Sequence, residues 1–193
     1  MEIDLFDFIG GYMPLREEEK KAILDLNIFR SYDKGSILLN EGDIPHLAYF
    51  VIKGCLRTYL IVEGEEKTTE FYTEMQGVTP GGINTKTPST HYVECVEDSI
   101  ITVSDPRLEK EIFEKFPRFE TLCRIMSEEL LAKSQVAFDD FRTSSPEQRY
   151  LNLVRTRPDL VQRVPQYQLA SYLGIKPQSL SRIRKRLASQ KPK

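Results

Sequence analysis

From Pro165 to Leu187 the chain carries two short amphipathic segments joined at a glycine, and few backbone geometries satisfy both at once. Leu169, Ala170 and Leu173 lie on one stripe of the first segment. Leu180, Ile183 and Leu187 lie on one stripe of a second segment that opens at Pro177, as the helical period requires. Gly174 stands between them, and its missing Cβ permits a sharp turn. With Gln166 as the first position, Ala170 falls where two helices cross closely, and Leu169, Leu173, Ile175, Leu180 and Ile183 supply the buried contacts. The spacing predicts a helix-turn-helix.

At ~100° per residue, turning Leu180, Ile183 and Leu187 inward puts Gln178, Arg182 and Lys185 on the opposite face of a recognition helix over 177–188. Arg and Gln carry bidentate heads suited to guanine and adenine edges. Lys176, Arg184 and Arg186 lie on flanks better suited to phosphates, and Ser179 completes the candidate DNA-contacting set. Charge placement points the same way. From Arg142 onward there are 12 Lys and Arg against 2 Asp and Glu, whereas residues 1–141 hold 15 against 27, although the whole chain is near neutral at −2. Such an asymmetry suggests an acidic module joined to a basic, nucleic-acid-binding one.

The first residues carry acids where a secretion signal needs basic ones, and no run approaches the ~18 apolar residues of a membrane span; a cytoplasmic location and no membrane partner are expected. Cys55, Cys95 and Cys123 are scattered without CxxC spacing, so neither a disulfide framework nor a metal site is expected.

Taken in order, residues 3–30 read as helical, with Leu5, Phe6 and Ile9 in one apolar cluster and Glu17, Glu18 and Glu19 opening a helix after Pro14. Between Ser31 and Val103 the pattern changes to short strands: 36–39, 48–52, 55–62, 67–72, 92–96 and 99–103, punctuated by glycine turns. Closely spaced strands of this kind suggest an antiparallel roll or barrel. Residues 106–142 form the next helical region, restarting near Pro117. There, counting from Phe119, Leu122, Met126, Leu130, Ala137 and Phe141 recur at intervals of three, four or seven, a stripe suited to pairing with another helix. Ser145 caps a support helix that opens at Pro146, Pro158 ends it, and 161–165 leads into the helix-turn-helix.

Lys34, Gly35, the run Asn40, Glu41, Gly42 and Asp43, the strand Ala48–Lys53 with Gly54, and the turn Glu63 and Gly64 together resemble the cyclic-nucleotide-binding β-roll of the CRP/FNR family of bacterial transcription regulators. That family also has a long helix after the roll and a C-terminal helix-turn-helix. The resemblance implies an α+β fold: an antiparallel β-roll of jelly-roll type, a dimerisation helix and a winged helix-turn-helix-type domain. The divisions fall at 1–117, 118–142 and 143–193. It implies a homodimer paired through Leu122, Met126, Leu130, Ala137 and Phe141, double-stranded DNA as partner, RNA polymerase as a further one, and an effector in the roll. By position the effector pocket would include Gly77, Val78, Ser89 and Thr90, with Ser134 and Gln135 from the long helix.

This sequence departs from the family's phosphate-binding cassette, which has a Glu for the ribose hydroxyl and an Arg for the cyclic phosphate. Val78 stands where the Glu is expected, and Ser89 and Thr90 lack the Arg's charge. Neither cyclic AMP nor cyclic GMP is expected as effector, and no cofactor is assigned. Two other function classes fit the sequence less well: a sensing or protein-interaction module without DNA binding, and a cupin-like enzyme. The chain has only His46 and His91 and no HxH spacing, too few for a cupin-type metal site; the basic surplus disfavours a protein-only partner. No catalytic residue or metal ligand is assigned.

Overall fold

The computed structural model describes residues 2–189, with side chains from Leu5 onward. It divides into two compact units, one of residues 1–58 and 71–129 and one of 59–70 and 130–193.

The first unit begins with α1 (Glu2–Gly10) and α2 (Glu17–Asp25). Asn27 then takes a left-handed backbone with φ 47°, which Asn tolerates better than most residues. The chain turns there into β1 (Phe29–Tyr32) and β2 (Ile37–Leu39). The helical expectation for 3–30 therefore holds only in two pieces and stops at Asp25, and its last residues, Phe29 and Arg30, are strand, because Phe29 to Tyr32 pair antiparallel with β8 (Ser99–Ser104). β8 also pairs with β3 (Ala48–Lys53), which pairs in turn with the two-residue β6 (Gly77–Val78). One sheet thus has the order β1-β8-β3-β6, and the other runs β2-β7-β4-β5, with β4 Leu56–Val62, β5 Glu65–Tyr72 and β7 Tyr92–Cys95.

The strand period of two explains why β3 is apolar from Ala48 to Ile52. Tyr49 and Val51 enter the roll core with Leu39, Leu56, Val78, Val93, Cys95 and Ile101. Ile52 and the neighbouring Phe50 face the other way, into a second cluster with Leu5, Ile9, Ile23, Phe119 and Leu122. Each fully buried Leu or Ile contributes ~1.5–3 kcal/mol, so both faces of this sheet hold the unit together. Burial also pushes the Tyr49 hydroxyl up to about 12 and the Cys95 thiol to about 11.

Glu19 is buried where α2 meets the next helical region. Its carboxylate accepts the Arg16 N–H at 2.8 Å and pairs with Arg118 at 3.2 Å, which removes the cost of an isolated buried charge. Asp105 caps α3 (Pro106–Lys115) by accepting from the Arg107 and Leu108 amides. Those donors, Leu108 foremost, hold its carboxyl below the ordinary range.

After α3 the 26-residue α4 (Arg118–Thr143) runs from the first unit into the second. The second unit continues with α5 (Pro146–Thr156), α6 (Pro158–Arg163), α7 (Gln166–Tyr172) and α8 (Pro177–Ser189). Ser145 caps α5 by accepting the Gln148 amide, with Pro146 in its first turn, as the sequence predicts. Residues 161–163 of the stretch expected as a lead-in belong to the helix α6, and no strand lies between α5 and the end of α8.

Candidate nucleic-acid interface

The second unit builds the helix-turn-helix from the predicted residues. Leu169, Ala170, Leu173 and Leu180 are at most 3% exposed and Ile183 is 8% exposed, so the two stripes meet in one small core. Gly174 has φ 68°. The Gly174 amide donates to the Ser171 carbonyl and the Ile175 amide to the Ala170 carbonyl, both at 2.9 Å. This closes the C-terminus of α7 with the paired bonds that a left-handed glycine makes possible.

With Leu180 and Ile183 committed inward, Gln178, Arg182 and Lys185 stand exposed on α8, and Lys176 is exposed just before it. Ser179 and Arg184 are half-buried at the flanks. Arg186 is exposed but pairs with Glu147 of α5, so its charge is partly answered within the unit. The seven candidate contacts therefore lie on one helix and its first approach, and Gln178, Arg182 and Lys185 stand exposed on the face opposite the core.

Two features of this unit escape a reading of the sequence. The tip of the β4–β5 hairpin, residues 59–70, belongs to it. The Ser171 hydroxyl accepts from the Thr68 amide and donates to the Glu66 carbonyl, each at 2.9 Å, and the Tyr172 hydroxyl donates to Glu70. Lys67 beside Glu65 holds the Glu65 carboxyl low, with Lys176 adding to the effect. Nothing in the spacing of a polar hairpin signals a partner 100 residues away. The second feature is Arg149, whose Nη1 donates to the Leu173 carbonyl at 2.6 Å while its guanidinium lies 4.3 Å from the centre of the Phe141 ring.

The stripe on α4 divides. Leu122 is 6% exposed and sits in the first unit's own core, with Met126 packed partly against it. The α1 and α2 cluster covers this end of the helix, so the expected pairing surface does not begin at Leu122. Farther along, Leu130 is 50%, Leu131 71%, Phe138 59% and Phe141 45% exposed, and Ala137 is exposed among them.

The six expected effector residues do not form one constellation within either unit: Gly77, Val78, Ser89 and Thr90 belong to the first, Ser134 and Gln135 to the second. Val78 is 6% exposed within the roll core. Gly77 pairs in β6, where a Cβ would stand 3.2 Å from the Phe50 ring. Strand pairing and core packing account for both positions without an effector. Ser89 is also buried, its hydroxyl bonded to the His91 backbone, while Thr90, Ser134 and Gln135 are exposed. Arg57, 3% exposed, is paired with Glu94. Among the described residues no three His, Cys, Asp or Glu come together as a metal site, and no helix is long and apolar enough to cross a membrane.

Residues 29–116 match the cyclic nucleotide-binding domain family model. No curated protein matches the sequence. Among solved structures, a CooA mutant from Carboxydothermus hydrogenoformans is similar at 21% identity and TM-score 0.69, over 87% of this chain and 79% of that one. CLP from Xanthomonas campestris, a c-di-GMP-responsive global regulator of virulence gene expression, gives 15% identity and TM-score 0.70 over 90% and 92%. The Thermus thermophilus catabolite activator protein gives 16% and 0.55 over 93% and 86%. The likeness to CRP/FNR-type regulators thus holds at the level of the fold, roll and helical C-terminus together.

Proposed function

We propose that this chain is a homodimeric, non-enzymatic bacterial transcription regulator that reads a palindromic DNA site with α8. The observation that carries the reading is the pairing of a buried Leu180–Ile183 stripe with exposed Gln178, Arg182 and Lys185. Two such helices related by a two-fold axis enter successive major grooves ~34 Å apart. The fold shared with a catabolite activator and a global regulator supports the same role. Arg182→Ala tests it. On a site selected from random DNA, affinity falls by about 10- to 100-fold, the worth of ~1–3 kcal/mol for a bidentate base contact, while binding to scrambled DNA and dimer mass stay the same. Equal affinity of the variant for the selected site removes Arg182 from base readout.

The regulator works without cyclic AMP or cyclic GMP. An ionised cyclic phosphate inside a protein needs a cation or several convergent donors to replace its hydration. Val78 offers the ribose hydroxyl no acceptor from inside the core, the Ser89 hydroxyl is taken by its own loop, and Arg57 is already answered by Glu94. Calorimetry with either nucleotide at millimolar concentration gives no saturable heat. A micromolar dissociation constant accompanied by tighter operator binding contradicts this.

A further inference from the structure

Three elements of the second unit converge on one side chain. Phe141 lies in the last turns of α4, Arg149 in the first turns of α5, and Leu173 ends α7 at the turn of the helix-turn-helix. The Arg149 guanidinium lies over the Phe141 ring and at the same time donates from Nη1 to the Leu173 carbonyl. That carbonyl is one that a helix end leaves unpaired. Gly174 completes the fit, since a Cβ there would come 3.0 Å from Phe141 Cζ and 3.1 Å from Arg149 Nη1.

The chemistry is specific to arginine. Its plane can stack on a ring while its edge donates to a carbonyl, which restrains two directions at once. Lysine supplies a point charge without a plane, and an apolar residue supplies contact without a donor. The Arg149 Nε–H has no hydrogen-bond partner among the described residues although it is buried. Only Ser144 and Ser145 separate α4 from α5, so the backbone link leaves the relative direction of the two helices to side chains.

We propose that Arg149 is the positioning residue of the DNA-binding unit: clamped between Phe141 and the Leu173 carbonyl, it fixes the direction in which the recognition helix α8 leaves the long helix α4. This rests on the reading of the chain as a dimeric DNA-binding regulator. A symmetric dimer holds two recognition helices at one separation only if each is held rigidly to the helix that pairs the protomers. Loss of the clamp therefore weakens binding to two correctly spaced half-sites and leaves each half-site's own recognition intact.

The test uses the full chain with Arg149→Met and Arg149→Lys, which leave the pairing face of α4 unchanged. Specific affinity for the selected palindrome falls about tenfold in each, as expected for losing a charged hydrogen bond or its support. Affinity for an isolated half-site stays near that of the unchanged protein, and the preference for one half-site spacing broadens. Equal losses on palindrome and half-site overturn the positioning role. A second arm needs no DNA: spin labels at Ala132→Cys and Ala188→Cys on a Cys123→Ser background, in dimers with one labelled protomer, report the α4–α8 distance. The distribution broadens in both variants. An unchanged distribution in the variants that fold overturns the clamp whatever DNA does. A broadened distribution in a protein that never selects a DNA site keeps the clamp and removes the DNA-binding reading.

Discussion

Leu130→Glu combined with Phe138→Glu converts the protein to a monomer and lowers its operator affinity by more than about a hundredfold. On a helical wheel Leu130, Ser134, Ala137, Phe138 and Phe141 share one face of α4, and Leu130 and Phe138 are half exposed or more. An apolar stripe of this extent on a water-facing helix needs a partner, and the small Ser134 and Ala137 let a second helix approach closely. In a two-fold dimer the same face meets itself, so the double substitution places four carboxylates in one seam without a cation opposite. Burying even one unpaired carboxylate costs several kcal/mol, more than such a seam can absorb. The loss on DNA follows from bivalency, because linking two half-site readers raises avidity by roughly 10²–10⁴. Light scattering at micromolar protein and a gel shift check both parts. A dimer that persists with both glutamates in place moves the pairing surface off this face.

The same stripe shows what the sequence can and cannot reveal. Its period is legible from Leu122 to Phe141, but periodicity reports only that a face is covered. The helix dips into the protomer's own core at Phe119 and Leu122, where α1 and α2 lie against it, and emerges at Leu130. Telling these two coverings apart needs the fold. The helix-turn-helix was legible almost to the residue because its constraints are local: Gly174, Ala170 and two stripes within 23 residues determine α7 and α8. The cap at Ser145 was readable for the same reason. β1 and β6 were not, since Phe29–Tyr32 has too few residues for a period and Gly77–Val78 has only two; pairing with β8 and β3 makes them strands. The Phe141–Arg149–Leu173 clamp was equally hidden. An arginine one turn into a helix looks like any solvated charge until its neighbours at sequence separations of 8 and 24 are brought together.

Gly54→Ala destabilises the first unit by about 2–6 kcal/mol. Gly54 follows β3 in the turn to β4 with φ 112°, a region costing ~1–3 kcal/mol for a residue with a side chain. A Cβ there would also stand 2.7 Å from both the Cα and the Cβ of Ser99 and 2.3 Å from its hydroxyl. Ser99 cannot yield easily. It is 1% exposed and opens β8, its hydroxyl donates to the Glu97 carbonyl, and the Cys55 amide donates to it in turn. Relieving the overlap means moving β8 away from β3, which holds the roll core on one face and the helical cluster on the other, and overpacking of that kind costs ~1–3 kcal/mol. Because a chain of this size shifts its melting temperature by ~2–4 °C for each kcal/mol, the variant melts about 5–20 °C lower. Gly64→Ala serves as the control: it also has positive φ, at 78°, but a Cβ there meets nothing within 4 Å. It therefore loses only the backbone part, about 1–2 kcal/mol for a left-handed residue. Equal melting temperatures for the two variants would show that the contact with Ser99 carries no weight in holding β3 to β8.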